Sequence, residues 1–328
     1  MTPYKQLFSP LRLRTIDLPN RVMVPPMVQC RPILSPEGLA WYRRLARGGA
    51  GMIIAEATGV PRFGKELTPK TLKPLVDVLH AHGGAAAIQL FPIPFGQTAD
   101  LNALSTADVD VIVEQFGLAA RICLEAGFDA VEPHGAHGYL INQFFMPDKN
   151  RRTDRYGGSA EARRQFALAI VRRIRDAVDR HLLILYRHTP VGEAYGLDDS
   201  LAFAEGLVEA GVDVLDISPA KDRIPADRAE PFARALPVPV IAVAGMEDPA
   251  AAEEALEAGR CALVAVGRQM IADARWPAKV REGREDEINR CTKCNTQCFG
   301  HIKQRKPVTC AAWNTDEVLA AVEEPDGS

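Results

Sequence analysis

Eight short apolar runs, each followed by a helical pattern, constrain this chain more than any other feature. They are VMVPPM (22–27), GMIIAEA (51–57), AAAIQL (85–90), FDAVEPH (128–134), LLILYRH (182–188), VDVLDIS (212–218), VPVIAVAG (238–245) and CALVAVGR (261–268). Turn residues bound each run, and β-branched and small apolar side chains fill it, which marks strands. The runs are nearly continuous in hydrophobicity, as parallel strands covered on both faces are. Between them lie helical patterns such as PEGLAWYRRLARGG, SAEARRQFALAIVRRIRDAVD and PAAAEEALEAGR, the last capped by Asp248 with Pro249 in its first turn. Eight βα units in this order predict an α/β fold, a TIM (β/α)8 barrel over residues 1–285. A short cysteine-rich segment follows at 286–328 and is expected to wrap onto the barrel. A doubly wound sheet is the alternative, but no G-x-G-x-x-G joins a strand to its helix.

A chain that is 47% hydrophobic with a formal net charge of −3 has a globular composition and no electrostatic reason to bind nucleic acid or an anionic membrane. No apolar run reaches the length of a bilayer span, and the opening MTPYKQLFSPLRLR lacks a secretory h-region, so a cytoplasmic protein is expected. The seven cysteines divide unevenly. Cys30, Cys123 and Cys261 are scattered and read as small packed hydrophobes. Cys291, Cys294, Cys298 and Cys310 form C-x2-C-x3-C-x11-C, a metal or cluster pattern rather than a disulfide framework. Zinc and an iron–sulfur cluster both take four thiolates, and spacing alone does not choose between them.

The chemistry of such a barrel sits at the C-terminal ends of its strands. Standing there are Pro25, Pro26 and Met27, then Ala57, Gln89, His134, His137, Tyr139, Arg187, Gly245, Gly267 and Arg268. Glycines after strands seven and eight, with an arginine, fit a phosphate site. His134 and His137 are three apart in a turn, so both rings can address one oxygen. Two donors on a carbonyl oxygen stabilise the enolate formed when hydride reaches a conjugated double bond. Tyr139 can then deliver a proton to the α-carbon. A zinc site at the two histidines lacks a third ligand. Arg151, Arg152, Arg155 and Tyr156 are expected to fix the loop structurally.

PPM, EAT, QL, HGAHGYLINQFFMPDKNRRTDRYGGS, YRH and VAVGR, each at its strand, resemble the Old Yellow Enzyme family of FMN-dependent reductases over residues 7–285. The four-cysteine tail is similar to that family's iron–sulfur branch, which includes 2,4-dienoyl-CoA reductase, 2-enoate reductase and trimethylamine dehydrogenase. The resemblance implies that Pro25, Pro26 and Met27 line the isoalloxazine, Ala57 and Gln89 meet its polar edge, and Arg187 faces N1 and O2. It also implies that Gly245, Gly267 and Arg268 hold the FMN phosphate, and that the four clustered cysteines hold a [4Fe–4S] cluster.

Three departures shape the expectation. The third-strand loop reads QLFPIPFGQ, with Phe91 and Phe95 as apolar walls. The loop after strand six, SPAKDRIPAD, has no histidine where dienoyl-CoA reductases carry one. Multidomain relatives continue into further nucleotide-binding domains, whereas eighteen residues follow Cys310 here. An ene reductase acting on a small unsaturated carbonyl compound is expected. Its electrons would come from NAD(P)H directly or from a separate electron-donor protein through the cluster, and a homo-oligomer is foreseen. The alternatives are an amine dehydrogenase of the trimethylamine dehydrogenase type and an electron-transfer subunit of a larger flavoprotein complex.

Overall fold

The computed structural model describes residues 3–94, 96–220 and 226–313. A hairpin of β1 (Leu11–Leu13) and β2 (Ile16–Leu18) comes first. The barrel follows: β3 (Val22–Val24), β4 (Met52–Gly59), β5 (Ala85–Phe91), β6 (Ala130–Gly135), β7 (Leu183–His188), β8 (Val214–Ile217), β9 (Val240–Val243) and β10 (Leu263–Ala265). These eight strands close in chain order, all parallel, with β10 pairing back onto β3. The barrel read from the eight apolar runs is therefore the fold. Outside it lie α1 (Pro36–Ala46), α2 (Pro69–His80), α3 (Thr106–Ala126), α4 (Leu140–Phe145), α5 (Ala160–Val178), α6 (Leu197–Ala210), α7 (Glu230–Ala235) and α8 (Pro249–Glu257). The chain continues through α9 (Arg268–Ala272), α10 (Trp276–Glu282) and α11 (Phe299–Lys303).

Two cores follow from the period of the strand. Side chains at alternate positions point to opposite faces. Met52 and Ile54, Ala85 and Ala87, and Leu183 and Leu185 therefore fill the barrel together with Leu13 and Leu18 of the hairpin. Ile53, Ala55, Ala86, Ile88, Ile184 and Tyr186 pack outward under the helices. The inward parity changes character toward the C-terminal ends. After Ala87 comes Gln89, after Ala130 come Glu132 and His134, after Leu185 comes Arg187, and after Val214 comes Asp216. The barrel is thus apolar at its base and polar at its mouth.

β3, β8, β9 and β10 stop earlier than their apolar runs do. β10 ends at Ala265, and Gly267 and Arg268 already begin α9. Ala244 and Gly245, past β9, both take left-handed backbone with φ of 81° and 76°. Such turns present main chain rather than side chain to whatever lies above them. At Gly135 a Cβ would stand 2.0 Å from the Tyr186 hydroxyl, so only glycine lets β6 pass that buried ring.

The cysteine-bearing segment docks onto the loops at the barrel mouth. Val308 N–H donates to the Gln29 carbonyl at 2.9 Å. Arg31 Nη1 donates to the carbonyls of both Gln29 and Val308, at 3.2 and 3.1 Å. Trp313 Nε1 donates to the Ile271 carbonyl at 2.8 Å, and the Arg44 guanidinium lies 4.2 Å over the Trp313 ring.

Candidate functional site

At the C-terminal mouth a cavity of about 490 Å³ opens. Pro25, Pro26, Met27, Ala57, Gln89, His134, His137, Tyr139, Arg187, Gly245, Gly267 and Arg268 all line it. Residues separated by more than two hundred positions in sequence are thereby brought to one space. Its size suits a drug-sized or cofactor-sized molecule, for which pockets run to roughly 300–1,000 Å³.

His134 stands one residue before the end of β6, on its inward face, and His137 follows in a turn where it takes left-handed backbone with φ 59°. Their rings stand edge to face with centroids 5.3 Å apart. His134 is buried, and its Nδ1 has no hydrogen-bond partner. Burial, followed by the charges of His137 and Arg187, holds its imidazole well below the usual range. Burial and Arg187 likewise push His137 down, to about 3, although one side of its ring is open to the cavity. Both rings are therefore neutral near pH 7.

His137 is fixed from two sides. Its backbone N–H donates to Thr189 Oγ1 at 2.9 Å, and its Nε2 lies 2.9 Å from Ser218 Oγ. Arg187 Nη2 donates to the same Ser218 oxygen at 3.0 Å. The serine proton is then free for His137 Nε2, an assignment that makes Nδ1 the imidazole N–H donor.

Tyr139 is the N-cap of α4 and is 40% exposed. Its ring meets Phe91 edge-on at 5.2 Å and His134 at 5.2 Å. Phe91 was expected to form a wall of the cavity. It is instead buried against Tyr139 and His134, because β5 extends to that residue and these two rings cover it. Phe95 and the loop residues 221–225 lie outside the described residues.

Arg152, expected to be structural, donates to the carbonyls of Leu101 and Leu104 and pairs with Asp154. Tyr156 Oη donates to Asp110, which also pairs with Arg155. These bonds tie the loop after β6 to the start of α3. Sequence reading passed over Glu132, Asp216 and Ser218, which stand beside or behind the histidines. Their signal was parity: Glu132 is two residues before His134, and Asp216 two before Ser218, on the same strand faces.

The four clustered cysteines line a second, smaller pocket of about 20 Å³ together with Arg268, Ile271, Asn295 and Thr309. Arg268, Ile271, Cys291 and Cys298 line both pockets, so the two adjoin. Burial, and then the neighbouring Cys291, Cys294 and Cys298, push the Cys310 thiol up. Among the described residues no three His, Cys, Asp or Glu side chains are arranged to hold a single metal ion. The thiols share a pocket without meeting at a point. Arg268 Nη1 donates to Asn295 Oδ1 at 2.8 Å, and Lys293 pairs with Glu247 at 2.7 Å. Both links join the barrel mouth to the cysteine loop.

Comparison with known proteins agrees with this architecture. The family model described as NADH:flavin oxidoreductase / NADH oxidase matches residues 95–287. The chain is 32% identical to an NADH oxidase of Thermoanaerobacter brockii, over 92% of this chain and 54% of that one. It is 28% identical to a cinnamate reductase of Clostridium sporogenes, over 94% of this chain and 57% of that one. It thus spans about half the length of these curated relatives. Among solved structures, morphinone reductase in complex with tetrahydroNAD is 29% identical, covering 85% of this chain and 91% of that one with a TM-score of 0.73. Among the described residues no helix is long and apolar enough to cross a membrane. With a family model spanning more than half of its residues and this barrel beneath them, the chain belongs to the NADH:flavin oxidoreductase / NADH oxidase family, the Old Yellow Enzyme family.

Proposed function

We propose that this chain is an FMN-dependent ene reductase acting on an α,β-unsaturated carbonyl compound, with a [4Fe–4S] cluster held by Cys291, Cys294, Cys298 and Cys310. The observation that carries the reading is the single cavity that gathers the residues expected for FMN and the two neutral imidazoles. The residues fit the group. The cavity has room for a planar ring system, main chain at Gly245 and Gly267 borders it, and His134 Nδ1 lacks a partner. The names of the cinnamate reductase and morphinone reductase relatives support reduction of a conjugated double bond, and the tetrahydroNAD of the latter supports a nicotinamide donor.

FMN, when bound, supplies the hydride chemistry. His134 and His137 bind the substrate carbonyl oxygen and draw electron density toward it. Tyr139 delivers the proton to the α-carbon. Arg187 places positive charge beside the ring, and Arg268 with the two glycine turns holds the phosphate. Four thiols lining one pocket that adjoins the cavity supply the ligand number that a [4Fe–4S] cluster takes, beside the redox partner that gives it a use. The proposed cluster-binding segment is 286–328, following the barrel of 1–285 in the chain.

Anaerobically prepared protein is expected to carry about one FMN and about four irons per chain. Visible spectroscopy with iron, acid-labile sulfide and zinc analysis checks this, and stoichiometric zinc without sulfide would remove the cluster from the proposal. The shared-oxygen role of the histidines has its own test. A phenolate should bind stacked on oxidised flavin and give a long-wavelength charge-transfer band. Alanine at His134 or His137 removes one donor and should weaken that binding by about 1.5–3 kcal/mol, the range for a hydrogen bond to a charged group. Because both donors act on one atom, the double variant should depart from the sum of the singles. Equal phenolate affinity in the single variants would refute the carbonyl clamp.

A further inference from the structure

Behind the histidines the inner barrel wall carries a band of buried polar groups. Gln89, Glu132, Arg187 and Asp216 stand on four neighbouring strands, β5 to β8, with Gln89 opposite Glu132 and Arg187 opposite Asp216 in register. Glu132 and Asp216 are both 0% exposed. Gln89 Nε2 donates to Glu132 Oε1 at 2.6 Å, but Glu132 Oε2 and both Asp216 oxygens have no hydrogen-bond donor. Arg187 lies near, its Nε 3.5 Å from Asp216 Oδ2, while its Nη2 is spent on Ser218. Two ionised carboxylates and one guanidinium would leave this wall with a net negative charge and three acceptor oxygens unmatched. Uncompensated charge in such a place costs several kcal/mol. One proton between the carboxyls removes the excess charge and supplies a missing donor.

We propose that Glu132 and Asp216 share one proton, carried on Glu132 and donated to Asp216, and that they are a positioning pair which balances Arg187 with a single negative charge. The wall beneath the flavin is then neutral, and Arg187 keeps its attraction for the negative charge that a reduced cofactor brings. Burial raises both carboxyls, and the Asp216 charge raises Glu132 further. Arg187 draws both carboxyls back toward ionisation, but the hydrogen bond between them raises Glu132 and lowers Asp216, which puts the proton on Glu132. The other titratable groups beside Arg187, His134 and His137, are neutral and add no charge. The pair rests on the buried, unpartnered carboxyl oxygens of this wall, and only its effect on FMN rests on the proposed function.

Infrared spectroscopy of the apoprotein tests the pair first. At about pH 9, where Glu56 with its value of about 7 is ionised, the wild type should still show a protonated-carboxyl band. Glu132→Gln should abolish that band, and Asp216→Asn, which replaces a charged acceptor with a weaker amide oxygen, should shift it. A wild type without the band overturns the proposal. The midpoint potential of bound FMN tests the charge balance. Glu132→Gln exchanges a neutral acid for a neutral amide, so the preference for reduced over oxidised FMN should change by less than about tenfold, or about 30 mV for a two-electron couple. A larger rise would mean that the substitution removed a full negative charge, and that no proton is shared. If Glu132→Gln does not fold, the wild-type band and the Asp216→Asn shift decide. A folded protein that shows the band but binds no FMN refutes the proposed function and leaves the pair standing.

Discussion

Tyr139→Phe is expected to slow enone reduction by about 10²–10⁴-fold, the usual worth of a positioned general acid, while FMN content and ligand affinity stay near wild type. The substitution is nearly silent structurally. The ring keeps its edge contact with Phe91 and its place beside His134, and the backbone that starts α4 does not depend on the hydroxyl, since Tyr139 makes no side-chain cap bond. The hydroxyl is lost, and with it the proton to be delivered. The defect should therefore fall on turnover and not on the reduction of FMN by NAD(P)H, which needs no proton at the α-carbon. Stopped-flow measurement of the two half-reactions separates them. Equal loss in both half-reactions would mean that Tyr139 shapes the cavity instead, and unchanged turnover would mean that water or another side chain supplies the proton.

The barrel was legible because its signals are local. Each strand is a short apolar run, each helix has its own period, and the closure of eight such units is forced by the burial of both strand faces. The lining of the mouth was legible for a related reason. Residues at strand ends share a location once the fold is known, and so Pro26, Gln89, Arg187 and Gly267 came together. Glu132, Asp216 and Ser218 were missed because an acid inside an apolar run reads as a strand residue until parity is followed around the barrel. The placement of Phe91 was misread for the opposite reason. Its loop looked open in sequence, but β5 continues through it, and the ring packs beneath Tyr139. That the cysteine segment wraps onto the barrel was expected, but its docking contact could not be read. It depends on Gln29 and Arg31 meeting Val308, nearly three hundred residues away, through main-chain carbonyls that carry no sequence signal.

That docking leads to the second large effect. Glu56, on β4, is buried, and its Oε2 accepts from the Gln29 N–H at 2.9 Å. The Gln29 carbonyl in turn accepts from Val308, so Glu56 supports the loop that holds the cysteine segment. Burial raises this carboxyl to about 7, against hydrogen bonds from Gln29 and the charges of Arg62 and Arg31 that lower it. The unfolded chain releases the same proton near the ordinary value of 4.5. Between those two values the folded protein holds more protons than the unfolded one. Stability from this group therefore falls as pH rises from about 4.5 to about 7, and it is constant beyond. Glu56→Gln keeps an acceptor for Gln29 and removes the charge. It should leave stability near wild type below about pH 4 and exceed wild type by about 3 kcal/mol at pH 8. Denaturant unfolding of both proteins across that range gives the difference directly. A difference that stays flat with pH would show that Glu56 ionises in the fold without penalty. A variant less stable at every pH would show that the carboxylate itself, and not merely an acceptor at its position, holds Gln29 and the segment above it.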